Sequence, residues 1–313
     1  MKKLNLFLGV AFLFASSSLF AQGGWAPCND CEVQQVDMQY HEGSDNVSGI
    51  GQDGEGNFAS VLQYGTGNLS NVNQDGADDQ FGYGGSYNQS WIHQDGNNNV
   101  SDVEQFGDSN ISIVWQSGSS NYAKQLVGAG YAESNWARVT QVGLGNGSSQ
   151  TQFYDNNSAH TIQVGDNNDA IQYQSSGPND GASGSTAYIY QDGDNNAVNQ
   201  TQNGSLNRAT TTQYGSGNTS SETQNAGSYA IGLFGSTNIS TVYQDGTNNK
   251  NCLTQTEGTT GWNVSDVYQN GMGNASYTEQ TANSVGSAGN YSTVNQMGNY
   301  NTACVQQNSL GIQ

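Results

Sequence analysis

Polar and apolar residues alternate along most of this chain in a fixed order. From Asn57 the order runs Asn57-Phe-Ala59-Ser-Val61-Leu-Gln63, so alternate positions carry Asn, a small residue, a β-branched residue and Gln. The same order stands at Asn110-Ile-Ser112-Ile-Val114-Trp-Gln116, Asn135-Trp-Ala137-Arg-Val139-Thr-Gln141, Asn238-Ile-Ser240-Thr-Val242-Tyr-Gln244 and Asn263-Val-Ser265-Asp-Val267-Tyr-Gln269. A period of two predicts a β-strand with two different faces. The intervening positions vary, as in Phe58, Ser60 and Leu62 or Val264, Asp266 and Tyr268. The regular set is therefore expected to point inward and the variable set outward.

Between these strands stands Gln-x-Gly-x-x-Asn, as in Gln52 to Asn57 and Gln63 to Asn68, recurring every eleven residues where it is cleanest. Gly and Asn tolerate positive φ, so the phrase reads as a tight turn. Strand, turn, strand and turn make a coil of about 22 residues, and self-similarity at a short fixed period marks a repeat architecture. The expected fold is all-β, a two-sided parallel β-solenoid. Each strand pairs with its equivalent one coil away, about 4.8 Å along the axis. Counting Asn positions, and adding degenerate strands near Asp79, Ser185 and Gly227, gives about 23 half-coils, hence 11 to 12 coils and roughly 50–55 Å of length.

This geometry gives the inward amides a purpose. A buried Gln stacked on the Gln of the next coil can donate and accept along the axis. Ladder positions expected early in the chain are Gln52, Asn57, Gln63, Asn68, Gln74, Asn99, Gln105, Asn110 and Gln116. Further along they are Gln191, Asn196, Gln202, Asn207, Gln213, Asn218, Gln244, Asn249 and Gln255, then Asn274, Gln280, Gln296, Asn301 and Gln307. Gln is lost at Val127 and Leu233, which should weaken those coils. Gly128–Tyr131, Ser175–Gly181 and Ala282–Gly289 read as lengthened turns bulging from the sides.

Composition fits a body without an oil-like core: 33% of 313 residues are hydrophobic and 42 are Gly. Such a chain at a formal charge of -20 could be disordered, but only two Pro, 17 Tyr and a phased repeat argue for order. Six Lys+Arg against 26 Asp+Glu exclude a basic nucleic-acid surface. Residues 1–21 read as a cleaved secretory signal, with Lys2 and Lys3 before an apolar Leu4–Phe14 and the cut after Ala21. No later segment is apolar enough to span a bilayer, so the mature chain is expected to be exported.

Few residues suggest chemistry. His41, His93 and His160 are scattered and Ser has no nucleophile-elbow context, so neither catalysis nor a cofactor is expected. Cys28-x-x-Cys31 lacks a second ligand pair for zinc and reads as a local disulfide or free thiols. Cys252 and Cys304 fall on one outward face two coils apart, about 10 Å and too far for a bridge. The calcium-binding nonapeptide of other solenoids is absent. Asp53, Asp75, Asp95, Asp192 and Asp245, each following a Gln in an Asp-Gly turn, are candidate gatekeepers that delay pairing. Outward Trp91, Trp115, Tyr173, Tyr190, Tyr243 and Tyr268 suggest stripes, either cross-strand packing or a surface for lateral contact.

From about Asn46 to Gln307 the sequence resembles the curlin repeat family, whose Gln-x-Gly-x-x-Asn turn is followed by Asn-x-Ala-x-x-x-Gln. This chain departs from it in having more coils, frequent Ser at the small position and longer side loops. The resemblance implies a cross-β protomer of a curli-type amyloid fibre, secreted to the cell surface for biofilm matrix and adhesion. It also implies partners: further copies of itself, a nucleator subunit, a secretion pore and a periplasmic chaperone. Residues 22–45 hold the place of the family's pore-targeting segment, and 46–313 that of its repeats. A nucleator or minor fibre component and a monomeric solenoid adhesin or ice-binding protein are the alternatives, although ice binding wants a flat outward Thr-x-Thr array.

Overall fold

A computed structural model describes residues 36–75, 86–129, 132–176, 183–226, 237–257, 261–282 and 289–309. These form 22 strands in two parallel sheets of eleven, numbered in chain order. The odd strands make the first sheet: β1 (Val36–Ser44), β3 (Phe58–Thr66), β5 (Gln89–Asn97), β7 (Ile111–Ser119), β9 (Trp136–Leu144), β11 (Ser158–Val164), β13 (Thr186–Asp194), β15 (Arg208–Ser216), β17 (Thr237–Thr247), β19 (Trp262–Met272) and β21 (Gly289–Met297). The even strands make the second: β2 (Val47–Gln52), β4 (Leu69–Asp75), β6 (Val100–Phe106), β8 (Tyr122–Ala129), β10 (Gly147–Phe153), β12 (Asp169–Ser175), β14 (Ala197–Asn203), β16 (Thr219–Asn225), β18 (Lys250–Glu257), β20 (Ala275–Ala282) and β22 (Thr302–Ser309). The chain thus alternates between sheets, one strand in each per coil, as the two-sided solenoid requires.

Eleven coils agree with the expected count, but two boundaries differ. The repeat body begins at Val36, because β1 pairs with β3 from Val36↔Phe58 to Ser44↔Thr66. No Asn precedes this strand and its inward positions are Asp37, Gln39 and His41, so the phrase does not mark it. Asp79 and Gly227, where two degenerate half-coils are expected, lie outside the described residues, and the described strands on either side pair directly, β3 with β5, β4 with β6, β15 with β17 and β16 with β18. The half-coil near Ser185 is present as β13. Residues 1–35, which include the expected signal and Cys28 and Cys31, lie outside the described residues, as does Leu233.

Burial follows the alternation. In β5 the inward Ser90, Ile92 and Gln94 are buried while Trp91 and His93 are half-buried between them. The small inward residues let the sheets approach, and Val or Ile fills what remains. That apolar filling is discontinuous: Val61, Val72, Ile92, Val103, Val114 and Val139 form one cluster, Ala170, Ile189 and Val198 a second, and Val242, Val267 and Val294 a third. The intervals between clusters are polar, so hydrogen bonding must hold the coils together there.

The two edges of the solenoid are unlike. The step from first to second sheet takes a few residues ending in Asn, as between β3 and β4, in every coil. All longer connections run from second sheet to first, including those after β4, β8, β12, β16 and β20. The lengthened turns expected from the sequence therefore all fall on connections of one kind, from second sheet to first.

Candidate functional site

Gln closes the inward series of Asn, small residue, β-branched residue and Gln in each regular strand, and its amide works in two directions. In the first sheet Nε2 of each Gln donates to Oε1 of the Gln one coil on, from Gln63 through Gln94, Gln116, Gln141, Gln163, Gln191, Gln213, Gln244 and Gln269 to Gln296. The distances are 2.7–3.0 Å without a gap. The other Nε2 hydrogen crosses to the opposite sheet, as from Gln63 to the Val47 carbonyl at 3.0 Å and from Gln74 to that of Phe58 at 2.9 Å. One side chain thus ties coil to coil and sheet to sheet. A primary amide, with two donors and one carbonyl, can do both at once.

The second sheet carries the same ladder with one break. Gln52, Gln74 and Gln105 are linked at 2.7 Å, and Gln152, Gln174, Gln202, Gln224, Gln255, Gln280 and Gln307 at 2.7–2.9 Å. Val127 stands between them, paired with Gln105 on one side and Gln152 on the other. Gln105 turns its amide to the Asn110 carbonyl at 3.1 Å, and Gln152 Oε1 is left buried without a partner. Gln63 Oε1 is orphaned in the same way, because the preceding coil offers His41 in place of Gln. Since every amide donates toward the C-terminus, the first oxygen of each ladder goes unpaired.

Asn and Gly explain the turn. Asn68 Oδ1 accepts the Asn99 backbone N–H at 3.0 Å, while its Nδ2 donates to the carbonyls of Tyr64 and Gly96, both at 2.9 Å. The glycine of one coil therefore supplies an oxygen that the Asn of the previous coil needs. Gly65 has φ 104°, and a Cβ built on it would lie 2.0 Å from that same Gly96 oxygen. The phrase needs Gly on both conformational and packing grounds.

A second ladder goes unnoticed in the phrase. At the position usually β-branched, the second sheet carries Gln125, Gln150, Gln172 and Gln200, linked at 2.8, 2.8 and 3.2 Å. Its sequence signal is Gln-x-Gln at Gln150, Gln172 and Gln200, together with Thr161 and Thr211 where the other facing strands from β3 onward have Val or Ile. Thr161 donates to Gln172 at 3.0 Å, and Gln200 donates to Thr211 at 2.9 Å. The next residue in the column is Glu222, 1% exposed. Thr211, Ser240 and Ser220 hydroxyls donate to its carboxyl. Burial pushes Glu222 above the ordinary carboxylate range, opposed by hydrogen bonds from Ser240, Thr211, Gln200 and Ser220.

On the outer face of the first sheet, rings stack along the axis. Tyr40, Tyr64, His93 and Trp115 follow one another at 5.8, 5.5 and 5.3 Å, and Tyr190, Tyr214, Tyr243 and Tyr268 at 5.6, 5.7 and 5.1 Å. Trp91 packs on Phe58 at 5.5 Å, and Tyr173 on Phe153 of the second sheet at 5.6 Å. These are the cross-strand contacts expected of the outward aromatics. Burial lowers His160 to about 4, with Arg138 beside it acting the same way. Asp95, Asp192 and Asp245 share one outward column, each between uncharged neighbours, while Asp75 ends β4 and Asp53 lies just past the end of β2. Cys252 and Cys304 are free and exposed in one column with Tyr277 between them, as the expected register has it.

Each end of the body presents two strand edges, β1 and β2 at one and β21 and β22 at the other. At the C-terminal end Gln296 and Gln307 keep their cross-sheet bonds, to Ala275 at 2.9 Å and Tyr291 at 2.7 Å. Among the described residues neither has a Gln ahead of it to receive the second amide hydrogen.

Residues 42–76 match the family model of the curlin associated repeat. That span runs from the end of β1 to just past β4 and holds the phrases at Gln52, Gln63 and Gln74. No curated protein matches the chain.

Proposed function

From a chain that carries the curlin associated repeat on a two-sheet parallel solenoid, we propose an exported structural subunit of a curli-like extracellular amyloid fibre, polymerising end to end. One observation carries this reading: among the described residues the amide ladders run through to the last coil, where Gln296 and Gln307 have no further Gln to receive their second amide hydrogen. Gln307 at one end and Gln52 at the other are partners in waiting, since Gln52 Oε1 accepts nothing among the described residues while its Nε2 bonds Gln74 at 2.7 Å. An open strand edge templates further strands unless charge, proline or a cap blocks it. The subunit's activity is its own stacking, with no chemistry required. Secretion through an outer-membrane pore, a periplasmic chaperone and a nucleating subunit belong to the same proposal, as does a targeting role for the segment before the repeats.

The solenoid also bears on the ice-binding alternative. Thr201, Thr223 and Thr254 do align in one outward column, but the adjacent column holds Asn199, Ser221 and Cys252. A flat Thr-x-Thr array is therefore absent from those coils. Chain purified in denaturant, freed of residues 1–21 and diluted into buffer, is expected to give thioflavin-positive fibres with a meridional reflection near ~4.7–4.8 Å and to be seeded by its own fragments. A chain that folds and stays monomeric for days rejects the fibre and leaves the single-solenoid adhesin. Fibres that form only as seeds for another subunit would assign the nucleator role.

A further inference from the structure

The two ends of the solenoid are not equivalent, and the difference lies in one sheet. If the last coil of one copy continues into the first coil of the next in the register seen between coils, β22 meets β2 and β21 meets β1. In the second sheet the fit is good: Ala303, Val305 and Gln307 would face Ser48, Ile50 and Gln52. Interior columns of the same sheet join the same residue types, as in Ser48↔Ser70, Ile50↔Val72 and Gln52↔Gln74. In the first sheet Ser292, Val294 and Gln296 would instead face Asp37, Gln39 and His41. Those three occupy the positions that Ala59, Val61 and Gln63 fill one coil on.

This triad is already bonded to itself. Gln39 Nε2 lies 3.4 Å from both Asp37 carboxylate oxygens, Ser48 Oγ donates to Gln39 Oε1 at 2.7 Å, and His41 Nε2 meets Ser48 Oγ at 2.8 Å. The Ser48 proton is committed to Gln39, so His41 Nε2 must be the donor to Ser48. His41 offers no amide oxygen to Gln296, and it leaves Gln63 Oε1 without a donor on its other side. Asp37, His41, Glu222 and Glu257 are the ionisable residues among the described inward strand positions, and two of the four stand in this first strand. All of β1 is exposed, whereas Ser48, Ile50 and Gln52 of the same coil are half-buried.

The geometry points to β1 as a built-in brake on copy-to-copy docking, an inference that rests on the end-to-end stacking proposed above. The second sheet joins at once through Gln307 and Gln52. The first sheet closes only when the Asp37 carboxylate is stripped of water against Ser292 and the Gln39 amide against Val294, with no cation among the facing residues. Burying a carboxylate that no cation balances opposes association. A strand with inward-pointing charge is one of the ways proteins blunt an edge. Growth is thereby slowed at one defined sheet of one defined end, and the interior ladder is untouched.

The test compares assembly of the wild-type chain with the Asp37→Ala, Gln39→Val, His41→Gln triple variant, each diluted from denaturant and also offered sonicated wild-type seeds. The variant is expected to elongate at least ~10-fold faster and to lose most of its lag. Asp37→Ser alone, which reproduces the Ser90 and Ser112 of the same column, should accelerate less but in the same direction. Wild-type fibres forming while both variants elongate at the wild-type rate or slower overturn the brake and leave the stacking reading standing. Absence of fibres from both wild type and variants overturns the stacking reading, and the brake with it. A variant that polymerises where wild type does not supports both.

Discussion

At the scale of single residues, the solenoid depends on which atom of an amide points which way. Gln works at the inward end of each strand because it donates twice and accepts once. Val127 shows the consequence of a residue that does neither, an orphaned oxygen on Gln152. Glu222 is the ionisable counterpart, a carboxyl at the C-terminal end of the second amide column among hydroxyl donors. Its raised pKa comes first from burial, so the folded coil holds the proton to higher pH than the unfolded chain, whose carboxyl ionises near the ordinary 4.5. The site's contribution to stability is therefore complete below about 4.5 and is lost as pH rises toward and through the folded value. Glu222→Gln, which extends the column by one amide, is expected to stabilise the solenoid by about 1–3 kcal/mol at pH 8 and to flatten the pH dependence. Urea unfolding of both chains at pH 4.5 and pH 8 checks this, and equal stability of the two at pH 8 would contradict it.

Among elements, strand and turn are coupled through glycine. Two residues past its Gln, a first-sheet strand carries a Gly that lends its carbonyl to the Asn of the coil before. Gly193 has φ 124°, a Cβ on it would sit 2.0 Å from the Gly215 oxygen, and its own carbonyl is bonded by Asn168 at 2.6 Å. Gly193→Ala must therefore move backbone in two coils at once. We expect a loss of about 3 kcal/mol or more, with hydrogen exchange raised in β13 and β15 before distant coils, since repeat bodies are stabilised by nearest-neighbour interfaces. Uniform protection in that variant would contradict the reading. Much of this was legible in advance. Gln-x-Gly-x-x-Asn names both partners of the bond, although not that they sit in different coils.

For the whole molecule, charge and ladder act against each other. Twenty-six acidic residues against six basic ones repel neighbouring copies, and Asp95, Asp192 and Asp245 stay separated by uncharged residues within their column. Replacing Asp53, Asp75, Asp95, Asp192 and Asp245 with Asn takes the formal charge from -20 to -15, five charges fewer. The assembly lag of that variant should shorten by about 2-fold or more at low salt, with a smaller gain at 0.5 M salt, where screening already weakens the repulsion. Light scattering and thioflavin traces at the two ionic strengths measure it, and an unchanged lag at low salt would remove the gatekeeper role. This effect is distributed along the body, whereas the Asp37 brake sits at one end, so the two should be additive.

What the sequence determined by itself is the inward and outward face of each strand, the turn, and the positions that stack, because in-register parallel pairing brings like residues together every coil. It did not determine which sheet a strand joins after a long connection. Asn88 lies twenty residues beyond Asn68 yet bonds Asn57 Oδ1 at 3.0 Å, in the first sheet. A period of two distinguishes faces, and nothing in it counts half-coils across a loop. Only the tertiary structure set the common direction of the amides, and with it the orphaned oxygens of Gln63, Gln125 and Gln152. Hydrogen-bond direction belongs to a whole column rather than to any residue in it. The first coil, with Asp37, Gln39 and His41 inward, was likewise invisible to the phrase, since only pairing with β3 makes those residues part of the ladder.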